Sequence, residues 1–207
     1  MNISYGITVC NERTEIEDLI GFLLQHKHQH DEIVVLFDSN NGSNEVEEYL
    51  DAISAHIKLH KSPFNFHFAD WKNLLNSFCT GDYIFQIDAD EIPSEDLMYS
   101  LHSIIEQGID VILVPRENKV NGLTSEHIKK WGWSVDSYQR VNWPDYQWRL
   151  YSNKPDIKWI NKVHERLDGF KTFSTLPSDV GEDSLFLHHS KTIERQEKQN
   201  SFYDTLI

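Results

Sequence analysis

The sequence has few cysteines and no closely spaced pair of them. Cys10 and Cys79 are its two cysteines, and neither lies in a CxxC motif, which argues against a disulfide framework or a zinc ribbon. No signal peptide precedes Ile3. From these features we expect a reducing, cytoplasmic location.

Apolar runs and basic residues are also scarce. No apolar segment approaches the roughly 20 residues that a membrane-spanning helix needs, so we expect no transmembrane segment. Asp and Glu outnumber Lys and Arg by 33 to 19, and the resulting net charge of −14 disfavours a nucleic-acid partner. A small phosphate-bearing substrate would need a bound cation to offset this charge.

Several common nucleotide-binding and hydrolase motifs are missing as well. The sequence contains no GxxxxGKS/T loop, no GxGxxG and no GxSxG. P-loop, dinucleotide-binding and serine-hydrolase functions therefore lack their characteristic residues.

What is present is an alternation of short apolar runs with amphipathic segments over the first half of the 207 residues. This alternation predicts an α/β domain with a mostly parallel central sheet flanked by helices. The predicted strands are Ile3–Cys10, Glu32–Asp38, Ile57–His60, Tyr83–Asp88 and Asp110–Pro115. Helices are predicted to begin at a capping box of Thr14 and Glu17, at Asn44 and at Asp70, and to end at Gly81 and Gly108.

The pattern changes after Pro115. Residues 116–144 are polar and aromatic with little periodicity, so we predict a long functional loop. Shorter strands and a helical tail are predicted at Gln147–Tyr151, Ile157–Trp159, Val163–Leu167, Ser184–His188 and Thr192–Leu206. The length fits one domain with a small mixed C-terminal part.

The strongest local signal is YIFQIDADE, residues 83–91, in which an apolar strand runs directly into Asp88, Asp90 and Glu91. Ligands of open α/β sheets bind at the carboxyl ends of such strands, and Mg²⁺ or Mn²⁺ prefers carboxylate oxygens. Asp88 and Asp90 are therefore candidate ligands of a divalent cation. A solvated acidic turn near a helix N-terminus is the alternative for the same residues.

Several segments, in order, resemble the nucleotide-sugar glycosyltransferases of the GT-A fold, especially the large inverting family 2. They are Ile3–Glu12, Glu32–Ser43, Phe68–Glu91, PDYQWRLY at Pro144–Tyr151 and KVHE at Lys162–Glu165. The resemblance covers roughly residues 3–190. It implies a GT-A-like single domain in which residues 1–115 form the nucleotide-sugar-binding half. Residues 116–207 would form the acceptor and catalytic half, with a C-terminal helix.

The resemblance also implies a substrate class and a set of donor contacts. The donor is expected to be a nucleotide-diphosphate sugar, with a UDP-sugar favoured, and the acceptor hydroxyl to belong to a glycan, lipid or protein. The predicted contacts to the nucleotide-sugar are Thr8, Asn11, Glu12, Asp38, Lys72, Asn73, Asp88 and Ala89. Polar strand ends suit the hydrogen-bonding edges of uracil and ribose, although turn formation or a solvated helix position explains several of these residues equally well.

Inverting transfer needs a base to accept the proton of the acceptor hydroxyl. The resemblance points to Glu165 and Asp145 as the two candidate catalytic acids. Glu165 is favoured because it adjoins His164 on a predicted strand end. An ordinary cross-strand polar pair is the alternative for Glu165, and a turn after Pro144 is the alternative for Asp145.

In related folds a downstream histidine often completes the coordination of the metal. His188 is therefore predicted to join Asp88 and Asp90 as a ligand of Mn²⁺ or Mg²⁺, with His164 as second choice. The alternative is that His188 and His189, as neighbours on a strand, simply face opposite sides of it.

Other polar and aromatic residues have weaker assignments. Arg149 is predicted to hold a nearby carboxylate rather than a phosphate, because that role is more frequent. Trp131, Trp133 and Trp143 are predicted either to stack on a sugar ring or to pack the loop in place. Lys129 and Lys130, next to them, are expected to be solvated.

The sequence thus predicts a metal-dependent glycosyltransferase, with two alternatives. A nucleotidyltransferase of similar topology is the closest enzymatic alternative, but its usual glycine-rich basic loop after the first strand is missing. A non-catalytic relative that only binds a nucleotide or sugar is the alternative from another class.

Overall fold

The structure is a computed structural model that describes residues 1–178 and 185–204. The strands are β1 (Ile3–Val9), β2 (Glu32–Asp38), β3 (Lys58–Ser62), β4 (Tyr83–Asp88), β5 (Glu91–Pro93), β6 (Val111–Asn121), β7 (Val141–Ser152), β8 (Lys158–Ile160), β9 (Arg166–Asp168), β10 (Phe173–Thr175) and β11 (Leu187–Thr192). The helices are α1 (Arg13–His26), α2 (Asn44–Ala52), α3 (Phe68–Phe78), α4 (Glu95–Ile105), α5 (Ser125–Trp131) and α6 (Ile193–Asp204).

One large sheet runs through both halves of the described chain. Its strand order is β3-β2-β1-β4-β7-β6-β11-β5, and β10 pairs with the start of β6, ahead of the part that pairs with β11. The first four strands of this order are mutually parallel, and β11 and β10 run parallel to β6. β7 is antiparallel to both β4 and β6, and β5 is antiparallel to β11. The sheet is therefore mostly parallel, as predicted, while β8 and β9 form a small separate pair.

Apolar strands in the centre of the sheet are covered on both faces. In β2, Ile33, Val35 and Phe37 pack towards α1, α2 and α4, whereas Val34 and Leu36 pack towards α3 and the β8–β9 pair. Burial of one such side chain stabilises the fold by about 1.5–3 kcal/mol. This two-sided burial explains the continuous apolar runs in the sequence. The run of buried residues in β4 stops at Asp88, so polar residues begin at the carboxyl end of this strand.

Two predicted helix starts are displaced. Helix α1 begins at Arg13, so Thr14 lies inside the first turn instead of capping it. Glu17, its expected partner, forms an ion pair with Arg13 at 2.6 Å. Helix α2 is capped by Ser43, whose hydroxyl accepts the backbone N–H of Val46 at 3.4 Å.

Helix α3 also differs from the prediction at both ends. His67 is the cap, because its Nδ1 accepts the backbone N–H of Asp70 at 3.2 Å. The helix ends at Phe78, before Gly81. A Cβ on Gly81 would lie 2.7 Å from the backbone nitrogen of Ser4, so glycine is required there for close approach of two backbones.

The predicted loop at residues 116–144 is wrong. Strand β6 continues to Asn121, helix α5 follows, and β7 begins at Val141, so two strands and a helix occupy more than half of this region, and β6 and β7 form a long antiparallel pair. Its cross-strand partners include Arg116 and Asp145. Because these strands carry charged residues towards a cavity, they lack the apolar periodicity from which strands are predicted.

Shorter elements shift by a few residues. The third strand is Lys58–Ser62 instead of Ile57–His60, and β9 is Arg166–Asp168 instead of Val163–Leu167. The helical tail is confirmed as α6; Ser184 and Leu206, at the ends of two predicted elements, lie outside the described residues. None of the helices in the described ranges combines the length and the apolarity required to cross a bilayer.

Candidate active site

A cavity of about 440 Å³ opens beside the carboxyl end of β4. Strands β6, β7 and β11, helix α3 and the segment before β9 supply most of its wall. The lining residues are Lys72, Asp88, Asp90, Arg116, Asn118, Val120, Trp133, Val141, Asn142, Asp145, Gln147, Trp148, Arg149, Trp159, His164, Glu165, His189, Lys191 and Gln196. Both aspartates of the Asp-x-Asp motif and both candidate bases therefore lie around one space, although they are far apart in the sequence.

Asp88 is held by a buried arginine. Its Oδ2 accepts a short hydrogen bond from Nη2 of Arg149, and its Oδ1 accepts one from Gln86 at 3.0 Å. Arg149 also donates to Oε1 of Glu91 at 2.6 Å, as the prediction that it holds carboxylates requires. Burial disfavours the charge on Asp88, but Arg149 and then Lys72 outweigh this effect and keep its pKa well below the usual range.

A second arginine holds Asp145 on the facing strands. Nη2 and Nε of Arg116 both donate to Oδ2 of Asp145, at 2.7 and 3.0 Å. Asn118 donates to the same oxygen at 2.8 Å, and Gln147 donates to Oδ1 at 2.8 Å. Burial raises the pKa of Asp145, yet Arg116 and these amides lower it overall. Asp145 is thus an ionised carboxylate with both oxygens occupied.

Asp90 faces a histidine, but not the predicted one. Oδ2 of Asp90 lies 3.2 Å from Nε2 of His189 and 3.3 Å from Nη2 of Arg195. His189 is buried, whereas the side chain of His188 is 49% exposed and contacts Glu117 at 3.2 Å. The structure places His189, and not the predicted His188, beside Asp90, because neighbouring residues of β11 face opposite sides of the sheet.

The pair of Asp90 and His189 has the donor chemistry that a divalent cation requires. Carboxylate oxygen and neutral imidazole nitrogen both bind Mn²⁺, and a separation of 3.2 Å is close to that of adjacent ligands on one six-coordinate ion. Burial disfavours the charge on Asp90, but its hydrogen bond to His189 lowers the pKa overall. Nδ1 of His189 lies 2.6 Å from the side-chain oxygen of Asn118, a contact of the kind that orients metal-binding histidines.

Glu165 and Lys72 form an ion pair at another part of the wall. Their Oε1 and Nζ atoms are 2.6 Å apart, and Lys72 Nζ also lies 4.5 Å above the ring of Trp159. Lys72 is only 5% exposed. Glu165 lies just before β9 rather than on a strand, and the positive φ of His164, 53°, marks a tight turn there.

Asn73, expected to contact the nucleotide, has a structural role. Its amide nitrogen donates to the carbonyl of Trp159 at 2.8 Å, and its amide oxygen accepts the N–H of Trp159 at 2.9 Å. Because both ends of the amide bind the backbone of β8, the structure does not place Asn73 in the cavity wall.

The other predicted donor contacts lie at the ends of β1, β2 and β4, outside the wall of this cavity. Thr8 pairs with Asp88 across β1 and β4. Asn11 is exposed, and the Glu12 carboxylate accepts the N–H of Asn11 at 2.9 Å. Ala89 is buried between the two aspartates. Their roles in donor binding stay predictions.

The Asp38 carboxylate accepts most of its hydrogen bonds from the turn that follows it. Its Oδ1 accepts backbone N–H groups of Asn40, Asn41 and Phe64 at 3.0–3.3 Å, and its Oδ2 accepts the amide of Asn41 at 2.8 Å. It is 4% exposed. The turn chemistry given as the alternative for Asp38 is therefore observed, and a nucleoside contact would have to share these oxygens.

The aromatic residues of the β6–β7 region are divided between the cavity and the surface. Trp133 lines the cavity and packs on Trp131, with ring centroids 4.7 Å apart. Trp143 packs instead against Arg140 and Phe186. Of the predicted sugar-stacking residues, Trp133 is thus the one that faces the space, and Trp148 and Trp159 are additional aromatic residues there.

Several cavity residues escape prediction from the sequence. The sequence offers His189 only as the neighbour of His188, and it indicates no role for Arg116, Asn118 or Lys191. Burial, followed by the charge of Arg116, lowers the pKa of Lys191 to about 8. Polar residues alternate on β6 and on β11, but alternation within one strand does not show that the two polar faces line the same cavity.

Comparison with known proteins identifies the family. The model described as "Glycosyl transferase family 2" matches residues 4–186. No curated protein matches the sequence. Among solved structures, the chain is similar to S. aureus TarS 1-349, with a TM-score of 0.63 and 14% identity over 92% of this chain and 60% of that chain. The complex of TarS 1-349 with UDP-GlcNAc gives a TM-score of 0.63 at 15% identity, over 92% of this chain and 59% of that chain. Its complex with UDP gives a TM-score of 0.62 at 14% identity, over 96% of this chain and 63% of that chain.

The chain thus spans about three fifths of the length of these TarS structures. At this level of identity the likeness shows the fold, and it confirms the predicted GT-A-like α/β architecture. Because the family model covers most of the sequence, the chain belongs to glycosyl transferase family 2.

Proposed function

We propose that this chain transfers a sugar from a nucleotide-diphosphate donor, favouring a UDP-sugar, to an acceptor hydroxyl, with a divalent cation and with inversion. The observation that carries the proposal is the position of the Asp90–His189 pair and of Glu165 around one cavity. Family membership supports glycosyl transfer, and the fold shared with the UDP-GlcNAc and UDP complexes of TarS 1-349 favours UDP. The family resemblance supports inversion.

The cation, Mn²⁺ or Mg²⁺, would be held by Asp90 and His189, with Asp88 nearby. Asp88 is the less available carboxylate, because Arg149 and Gln86 already engage both of its oxygens. When bound, the cation would neutralise charge on the departing diphosphate. Lys72, Arg116 and Lys191 add positive charge to a wall that belongs to a strongly acidic protein.

Glu165 is the better of the two candidate bases. Both oxygens of Asp145 accept hydrogen bonds, and its pKa is lowered, so it is poorly suited to take a proton. Among the described residues, Glu165 has a single ion-pair partner, Lys72. The ammonium group of Lys72 has three donors, so it can keep Glu165 in position while it binds a phosphate oxygen.

The proposed reaction is a single displacement. The acceptor oxygen attacks the anomeric carbon, and its proton passes to the carboxylate of Glu165. The bond between the anomeric carbon and the diphosphate oxygen breaks, and the nucleoside diphosphate leaves with the bonding electrons.

A panel of nucleotide-sugars with Mn²⁺, with Mg²⁺ and with a chelator tests this proposal. We expect release of free nucleoside diphosphate from a UDP-sugar with either cation and at least roughly ten-fold less release with the chelator. Turnover that the chelator leaves unchanged would refute the role of the cation. Binding of UDP without turnover of any donor would instead identify a non-catalytic relative.

A further inference from the structure

Two histidines and an aspartate meet at a place remote from the proposed catalytic groups. His28 and Asp31 lie in the connection between α1 and β2, and His102 lies in the last turn of α4. One potential ligand atom from each side chain lies within 4.8 Å of the other two. None of these residues lines the cavity that contains Asp90 and Glu165.

Asp31 is a buried carboxylate in a fixed orientation. Its side chain has no exposed surface. Its Oδ1 accepts the backbone N–H of Ile3 at 2.9 Å, and its Oδ2 accepts bonds from the hydroxyl of Tyr5 at 3.4 Å and from the backbone N–H of His28 at 3.3 Å. Such surrounding hydrogen bonds are how proteins orient a carboxylate that binds a metal.

The two imidazole rings lie on the solvent side of this carboxylate. Nε2 of His102 is 3.0 Å from Oδ2 of Asp31, and the rings of His28 and His102 are stacked with centroids 3.8 Å apart. His102 is partly buried and His28 is exposed. Asp31 and His102 are already at ligand spacing, and a ligand atom of the exposed His28 lies within 4.8 Å of both, so a change in the orientation of the His28 ring would allow it to supply a third donor.

The ammonium group of the neighbouring Lys27 does not bond to the Asp31 carboxylate. Nζ of Lys27 donates to the carbonyl oxygens of His28 and Asp31, at 3.2 and 2.8 Å, rather than to the Asp31 carboxylate. The net charge of −14 favours cation binding over the whole molecule.

We propose that His28, Asp31 and His102 form a binding site for a divalent transition-metal ion, of which Zn²⁺ is the representative. Two imidazole nitrogens and one carboxylate oxygen, with a side open to water, match the donors and the coordination number that Zn²⁺ takes in proteins. The ion would link the α1–β2 connection to α4, and hence the start of the sheet to a helix packed on it. This site is independent of the proposed glycosyl transfer.

Zinc titration of metal-free protein tests the site. Asp90→Ala is used as the parent, so that zinc binding at the catalytic cavity does not contribute. Isothermal titration with Zn²⁺ alone is compared for this parent and for the added changes His28→Gln, His102→Gln and, as the matched control, His30→Gln. His30 is an exposed histidine of the same connection that is not part of the cluster.

We expect one zinc ion per chain in the parent and in the His30→Gln protein. Zinc affinity should fall by roughly 100-fold or more in the His28→Gln and His102→Gln proteins. Loss of a metal ligand lowers affinity more than loss of a residue that hydrogen-bonds to a ligand, for which a fall of roughly 10–100-fold is typical. Co²⁺ should give visible absorption bands in the parent that both of these changes remove. Circular dichroism and thermal unfolding without metal identify any variant that fails to fold.

Equal zinc affinity in all four folded proteins would overturn the proposal. So would a loss of affinity in the His30→Gln protein as large as in the other two, because binding would then belong to the histidine-rich surface in general. In either case the His102–Asp31 contact is an ordinary buried polar pair.

Discussion

Adjacent residues of a strand have separate environments, and this decides which histidine belongs to the candidate active site. His189 is buried between Asp90 and Asn118, whereas His188 lies on the other face beside Glu117. The two residues have the same chemistry and neighbouring positions, so composition alone does not distinguish them. Only the face of β11 that each side chain occupies does so.

The histidine pair yields a matched prediction. His189→Ala should weaken Mn²⁺-dependent binding of UDP by roughly 10-fold or more, because it removes the proposed nitrogen ligand and one of the two contacts that orient Asp90, the other being Arg195. His188→Ala should change it by less than about 2-fold. The measurement is the thermal shift produced by UDP with and without Mn²⁺. Equal losses in both variants would place the cation elsewhere.

The two candidate bases make a second pair. Glu165→Gln should lower kcat by roughly 100-fold or more and leave the dissociation constant of UDP within about 2-fold, since the amide keeps the size but not the proton affinity of the carboxylate.

Asp145→Asn serves as the comparison for Glu165. It weakens the contacts with Arg116 and so should raise KM or lower stability more than it lowers kcat. If Asp145→Asn abolishes transfer and Glu165→Gln does not, the base is Asp145.

At the scale of elements, one amide joins α3 to the small β8–β9 pair. Asn73→Ala removes both hydrogen bonds to the backbone of Trp159, and we expect unfolding to become easier by about 1–3 kcal/mol. Trp159 would then support Lys72 less well. Denaturant unfolding measures the change, with Ser77→Ala on the exposed face of the same helix as control. An unchanged denaturation midpoint would show that these two hydrogen bonds do not contribute to the stability of the fold.

The buried half of the fold was predictable because its strands are apolar throughout. β2 and β4 match the predicted Glu32–Asp38 and Tyr83–Asp88, and the Asp-x-Asp motif lies where the carboxyl end of β4 was expected to place it. The parallel order of the first four strands follows from the helices between them. Here local pattern and tertiary packing agree.

The cavity-facing half was not predictable in the same way. β6 and β7 present Arg116, Asn118 and Asp145 to one another, so their pairing depends on charge and hydrogen bonding between distant residues. No periodicity along the chain reports such contacts. For the same reason the sequence did not indicate that Asp145 is occupied by Arg116, or that Asn73 binds the backbone instead of a ligand.

At the scale of the whole molecule, one carboxylate connects four neighbouring parts of the sheet. Glu32 at the start of β2 accepts hydrogen bonds from the Ser4 hydroxyl at 2.5 Å and the Thr80 N–H at 2.6 Å, and it pairs with Lys58. Ser4 lies in β1, Lys58 lies in β3, and Thr80 lies in the turn that precedes β4. Glu32 therefore ties together the amino ends of the parallel strands, opposite the edge that carries the cavity.

This position makes Glu32 a source of pH-dependent stability. Burial raises the pKa of its carboxyl group, but Lys58, Ser4 and Thr80 outweigh burial and lower it from 4.5 to about 2. Because the folded-state pKa is the lower one, the unfolded chain binds the proton first. The contribution is complete above about pH 4.5 and disappears as pH falls through about 2.

Glu32→Gln should therefore destabilise the protein by about 1–2 kcal/mol at neutral pH, a figure that allows for screening by solvent. The difference from the parent protein should shrink as pH falls from about 4.5 towards 2. Thermal unfolding across this range measures it, and Glu48→Gln on the exposed side of α2 controls for the loss of one negative charge from an acidic chain. A difference that stays constant with pH would mean that Glu32 contributes through neutral hydrogen bonds alone, and that the four parts are not joined by its charge.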